Sequence, residues 1–181
     1  MNRVLLEKEM ERHEMMLIIS KRLLKFTAAS VVVTTILFGI TFIYGDRFMV
    51  SWFAFQCGIV GGFASIQQRL KNIQDEELEL LSESWATILV VPIYGGIFSL
   101  IFYLLVLSGL VEGYLFPKFY VPDFDFPPTT ENMKAFFNST YPVSGADFAK
   151  FAFWTFVSGF SERFVPQIIR KVSSSGENDG K

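Results

Sequence analysis

Histidine and cysteine are almost absent from this chain of 181 residues, which holds one of each, His13 and Cys57. A lone cysteine excludes an internal disulfide, and one histidine cannot build a metal cluster. The signatures HExxH, GxSxG, the P-loop, CxxC and the dinucleotide-binding glycine pattern are all missing. Apolar runs carry none of the paired carboxylates, Ser-His or His-Glu groups that an intramembrane protease would use. Asp123 and Asp125 are the close carboxylate pair outside the other acidic segments. Without further ligands they make a poor ion site, and solvation is their expected role. Catalysis is therefore not expected, nor is a metal or cofactor. A net charge of −2 supplies no basic field, which excludes direct binding of nucleic acid by this chain alone.

Apolar residues, by contrast, are abundant. They make up 51% of the chain, and the mean hydropathy is +0.37, more than a water-soluble domain needs. Membrane lipid is the expected surrounding. The pattern predicts an all-α membrane protein with four transmembrane helices, an N-terminal cytoplasmic amphipathic helix and an aromatic, proline-rich extracytoplasmic loop.

Residues 1–25 mix charged and apolar side chains with no proline or glycine, which predicts an amphipathic helix running straight into the first span. It either ends as a solvated anchor at Lys21, Arg22 and Lys25 or docks a partner. The membrane domain, 26–171, has expected spans at about 26–45, 48–68, 86–111 and 148–169. No signal peptide is expected, because a long charged segment precedes the first apolar run and no small-x-small site follows it. Asp46 and Arg47 are the turn of a hairpin between the first two spans. The tail, 172–181, reads as disordered by composition.

Span two carries Gly58, Gly61, Gly62 and Ser65, with Gly58 and Gly62 at GxxxG spacing, and span four carries Gly159. Small residues allow helix backbones to approach closely in lipid, so these five positions are the expected packing faces. The acidic loop 69–85 predicts a short amphipathic helix whose Glu76, Glu77 and Glu79 are either solvated or meet a basic partner. Pro92 with Gly95 and Gly96 marks a kink in span three or a hinge. The cap, 112–147, combines five prolines with dense aromatic residues and a short helix around 131–137, and is expected to lie on the membrane surface.

Of the 16 Lys and Arg residues, only Arg47, Lys118, Lys134 and Lys150 fall on the cap's side. The asymmetry predicts a multi-pass membrane protein with both termini cytoplasmic and the cap outside. It also sets Arg69 at the depth of the adjacent Glu162 and Arg163. Glu162 either bridges to Arg69, between spans or between subunits, or both side chains reach into water.

The segments Gly61 to Leu70 and Gly159 to Pro166, with the length and the four-run layout, resemble the KwaA-like membrane component of the two-part Kiwa anti-phage defence system. That resemblance implies a homo-oligomer, a tetramer, that senses phage-related disturbance of the membrane and works with a cytosolic DNA-binding effector, KwaB. The resulting expectation is a non-enzymatic oligomeric sensor and scaffold that recruits or controls a cytoplasmic effector. The alternative is a small oligomeric channel lined by Thr27, Ser30, Thr34 and Thr41.

Overall fold

A computed structural model describes residues 2–44, 50–70, 73, 75–123, 127–161 and 167–170. The chain is mostly helical: α1 (Asn2–Tyr44), α2 (Val50–Arg69), α3 (Asp75–Glu83), α4 (Trp85–Leu107), α5 (Thr130–Ser139) and α6 (Gly145–Phe160). A two-residue antiparallel ribbon, β1 (Phe119–Tyr120) with β2 (Tyr141–Pro142), ties the segment between α4 and α6 together.

No proline interrupts α1, and it continues without a break for 43 residues, about 65 Å of helix. The β-branched stretch Val31–Ile36 lowers helix propensity, yet the helix runs through it unbroken. Thr27, Thr34 and Thr35 each donate their hydroxyl to the carbonyl four residues back, at 2.8–2.9 Å. Helix α4 begins after Ser84, whose extended backbone sits outside the helix, and it contains Pro92. It stops where Gly109 adopts φ +73°, a left-handed conformation that glycine takes without a steric penalty.

Helices α2, α4 and α6 pack against one another, while α1 meets α2 and α3. Two apolar clusters sit at opposite ends. One gathers Ile19 and Leu23 of α1, Phe63, Ile66 and Leu70, Leu78 and Leu81 of α3, and Ile88 of α4. The other joins Val50, Ala54, Tyr103 and Phe151, with Phe53 and Phe119 against them. Between these clusters the helices meet through glycine and serine.

Large aliphatic side chains face outward. Val31, Val32, Val33, Ile36 and Ile40 on α1, and Val90, Ile93, Ile97 and Leu104 on α4, are all exposed. Among the described residues one helix, α4, is long and apolar enough to cross a membrane, with a hydropathy of 2.3. Only 39% of its most apolar stretch is buried within the protein, whereas the core helix of a water-soluble fold would be mostly covered.

Boundaries differ from the sequence expectation at two helices. The third run ends at Leu107 rather than 111. The fourth helix starts at Gly145 and closes at Phe160, with Ser161 extended; 162–166 lie outside the described residues, and 167–170 are helical. The serines and glycine at 158, 159 and 161 are weak helix formers, and the Pro166 that follows disfavours continuation. The short helix in the cap is longer than expected, because Thr129 and Asn132 form a reciprocal capping box that extends its start. The Asp46–Arg47 turn and the tail lie outside the described residues.

Candidate functional site

Three places concentrate polar chemistry. The first is the end of the bundle where α2 finishes and α4 begins. Here α3 lies across the first half of α1, held by Leu78 and Leu81 in the apolar cluster. Arg12 donates to the Ile73 carbonyl at 2.9 Å, and Arg22 donates to the Ser82 carbonyl at 2.5 Å. The last carbonyls of a helix have no partner within it and carry its negative dipole end, so a guanidinium at Ser82 satisfies both requirements. Arg22 also stands 4.9 Å from the centre of the Trp85 ring, close enough for cation–π attraction. Trp85 in turn meets Phe26 edge-on at 5.2 Å.

The second place is the helix crossing in the middle. A Cβ on Gly95 would lie 2.6 Å from the Gly58 carbonyl oxygen and 3.1 Å from that of Gly159. Gly58, Gly95 and Gly159 therefore converge on one point, one from each of α2, α4 and α6. Gly61 abuts the α6 backbone at 156–160, and Gly62 abuts Pro92, whose Cα would be 2.6 Å from an added Cβ. Gly96 faces the Phe55 ring. Ser99 donates to the Thr155 carbonyl at 2.5 Å, and Thr155 and Ser158 donate to carbonyls of their own helix. Ser30 of α1 donates to the buried Gln56 side chain at 2.9 Å.

The third place is the other end, where the segment after α4 folds over the start of α6. Ser144 caps α6 by accepting from the Asp147 backbone N–H at 3.1 Å. Asp147 reciprocates: its Oδ2 accepts from the Ser144 hydroxyl at 2.5 Å, its Oδ1 from the Lys118 backbone N–H at 3.2 Å, and Lys150 lies 3.7 Å away. These interactions hold the Asp147 carboxyl below its ordinary value of 3.8. The Ser144 hydroxyl contributes most and the Lys118 N–H next, against an opposing effect of burial, with lesser contributions from the Lys150 and Lys118 charges. The Trp154 indole donates to the Leu115 carbonyl at 2.8 Å, and the Val143 N–H donates to the Lys118 carbonyl at 3.0 Å. Above these ties opens a cavity of about 1010 Å³.

The expected site residues are distributed among these places. Gly58, Gly61, Gly62 and Gly159 are at the central crossing, and Ser65 is buried further along α2. Pro92, Gly95 and Gly96, read from sequence as a kink or hinge, belong to the uninterrupted helix α4 and face its neighbours α2 and α6. Arg69 is exposed at the last turn of α2, and Glu162 and Arg163 lie outside the described residues. Glu79 is exposed on α3, while the side chains of Glu76 and Glu77 lie outside those described. Thr27, Ser30 and Thr34 are engaged in hydrogen bonds, and Thr41 lies outside the described side chains. Asp123 is exposed, Asp125 lies outside the described residues, and no group of three metal-ligating side chains forms among those described.

Sequence reasoning missed two participants. Asp147 was read only as the residue before a span, although Ser144 three positions earlier is the signal of a helix cap. The 119–120/141–142 ribbon was hidden by Pro142, which is tolerated because it lies at a sheet edge. No family model matches the chain, and no curated protein or solved structure matches it either.

Proposed function

We propose that this chain is a non-enzymatic, multi-pass scaffold of the bacterial inner membrane, oligomeric in the bilayer, that presents a helical platform to a cytoplasmic effector. One observation carries the reading. Helix α1 joins an aliphatic half, exposed at Val31 to Val33, Ile36 and Ile40, to a charged half held by Arg12 to the Ile73 carbonyl ahead of α3 and by Arg22 to α3 itself. The first half suits lipid and the second suits water, and a single rigid element links them. In this reading α1, α2, α4 and α6 supply the four spans, the α1–α3 platform is cytoplasmic and the 112–147 segment lies outside.

The central glycine crossing fits that solvent. In lipid there is no hydrophobic drive between helices, and close backbone approach with interhelical hydroxyl bonds provides the attraction instead. The resemblance to the KwaA-like component of Kiwa systems names a test partner, a KwaB-type DNA-binding effector, and a tetramer as the assembly to look for. The channel alternative needs polar side chains available to line a pore. Of the α1 hydroxyls that would do so, Thr27, Ser30 and Thr34 donate to their own helix or to Gln56, which favours the scaffold.

The test is an affinity pull-down from crosslinked native membranes, with bait and prey quantified by mass spectrometry. A soluble protein recovered in stoichiometric amount is the expected result, and reversing Glu76, Glu77 and Glu79 locates its dock. Recovery of this chain alone overturns recruitment, and single-channel conductance in bilayers then decides for the alternative.

A further inference from the structure

The cavity at the start of α6 is large for a surface irregularity and stands at the upper limit of the range of ligand pockets, roughly 300–1,000 Å³. Its walls divide by chemistry. Val106, Leu107 and Val111 form an apolar side, continuous with the end of α4, while Glu112, Lys118 and Lys150 bring charge to it. Asp147 also lines it, but its carboxylate is already engaged by Ser144, the Lys118 N–H and Lys150. The lining therefore holds two cations and two anions, with one of the anions committed inward. What the lining leaves for a ligand is a pair of opposite charges, the exposed Lys118 and the exposed Glu112.

An anionic ligand would meet Glu112, and a cationic one would meet Lys118. A zwitterion with an apolar body satisfies all three parts of the lining at once. We infer that this cavity binds the headgroup of a zwitterionic phospholipid bearing a primary amine, a phosphatidylethanolamine. Lys118 receives the phosphate, Glu112 accepts hydrogen bonds from the ammonium, and Val106, Leu107 and Val111 face the glycerol and first acyl carbons. The inference rests on the membrane placement proposed above and not on effector recruitment. It makes the segment folded over α6 a reader of lipid composition.

Trp154 offers a readout, because its ring stacks on the cavity-lining Phe116 at 5.2 Å. Detergent-solubilised full-length protein carrying Trp52→Phe and Trp85→Phe is titrated with dihexanoyl phosphatidylethanolamine while Trp154 fluorescence is followed. Saturable binding is expected. Glu112→Gln and Lys118→Gln, neither of which touches the Asp147 bonds, should each weaken it about tenfold, as the loss of one hydrogen bond to a charged group does. Lys134→Gln, which lies outside the cavity lining, should leave it unchanged.

The phosphatidylcholine and phosphatidylglycerol analogues should bind at least about tenfold more weakly, since neither gives Glu112 an ammonium hydrogen bond. Free phosphorylethanolamine separates a lipid site from a soluble-zwitterion site and should bind weakly for lack of an apolar body. Equal binding of the three lipids, indifference to both charge variants or equal binding of free phosphorylethanolamine overturns the assignment. Retention of each variant in the membrane fraction, and of its pull-down partner, is scored separately, so that failure of the scaffold reading is distinguishable from failure of this one.

Discussion

Gly159 lies against Gly58 with no space for a side chain between them: a Cβ built on Gly159 would stand 2.6 Å from the Gly58 Cα and overlap its carbonyl oxygen. Backbone cannot move aside as the far end of a side chain can, so Gly159→Ala must push α6 off α2. The expected cost is about 3 kcal/mol, the upper part of the range for overpacking. Gly39→Ala on α1 is the matched control, because nothing lies within 4 Å of its added methyl. It should be neutral or stabilising by about 0.5–1 kcal/mol through helix propensity. Thermal unfolding in detergent distinguishes the two, and equal midpoints would count against the glycine crossing.

Asp147 sets an acid limit on the segment over α6. Its carboxyl is held below 3.8, first by the Ser144 hydroxyl and then by the Lys118 N–H. A depressed folded-state value means that the ionised form stabilises the fold. The contribution is fully present above the unfolded value and is lost as pH falls below about 3.8 and through the folded value. Unfolding followed from pH 7 to pH 3 should show a loss at the acid end that Asp147→Asn lacks, with the variant less stable at neutral pH.

Ser144 acts at the same turn through the backbone. Removing its hydroxyl with Ser144→Ala deprives the Asp147 N–H of its acceptor, at a cost of about 1 kcal/mol. Calorimetry on the purified protein would register it, and Ser144→Thr, which keeps a hydroxyl that can both accept from the Asp147 N–H and donate to its carboxylate, should recover most of the loss.

Trp154 fastens the same segment to α6. Trp154→Phe keeps an aromatic surface against Phe116 but removes the bond to the Leu115 carbonyl, worth about 1 kcal/mol. Limited proteolysis should cut 110–118 faster in this variant while leaving α2 and α4 intact.

Arg22 governs the platform. With Arg22→Ala the Ser82 carbonyl loses its donor and Trp85 its cation. Amides of α3 should then exchange with solvent about tenfold faster, a change of ~1.4 kcal/mol in local opening, with the glycine crossing unaffected. Hydrogen exchange resolved by segment is the check.

Much of this architecture is visible in the residues themselves. The absence of proline and of early glycine makes α1 continuous, and the turn-forming prolines mark off the segment before α6. The glycines of α2 announce close contact by lacking side chains. Which helix each one meets is a property of three-dimensional register: Gly58 faces Gly95 and Gly159, while Gly61 and Gly62, next to each other in sequence, face α6 and α4 respectively. The close of α6 at Phe160 is not visible in hydropathy, because apolar residues continue beyond it and hydropathy does not register the weak helix propensity of Ser158, Gly159 and Ser161. The charged lining of the cavity draws on residues 38 positions apart, from Glu112 to Lys150, and no local pattern encodes that meeting.

The unbroken length of α1 has a mechanical consequence. A straight rod conserves angle, so rotation at one end becomes displacement at the other. The segment before Phe26 extends about 36 Å, and a 5° tilt of the apolar half therefore swings the first turn sideways by roughly 3 Å. Bilayer thinning or thickening changes the tilt of a helix embedded in it. Under the membrane placement proposed above, helix α1 would act as a lever with its short stroke in the lipid and its long stroke in the cytoplasm. A single glycine pair placed near Lys25 would decouple the two by adding a joint.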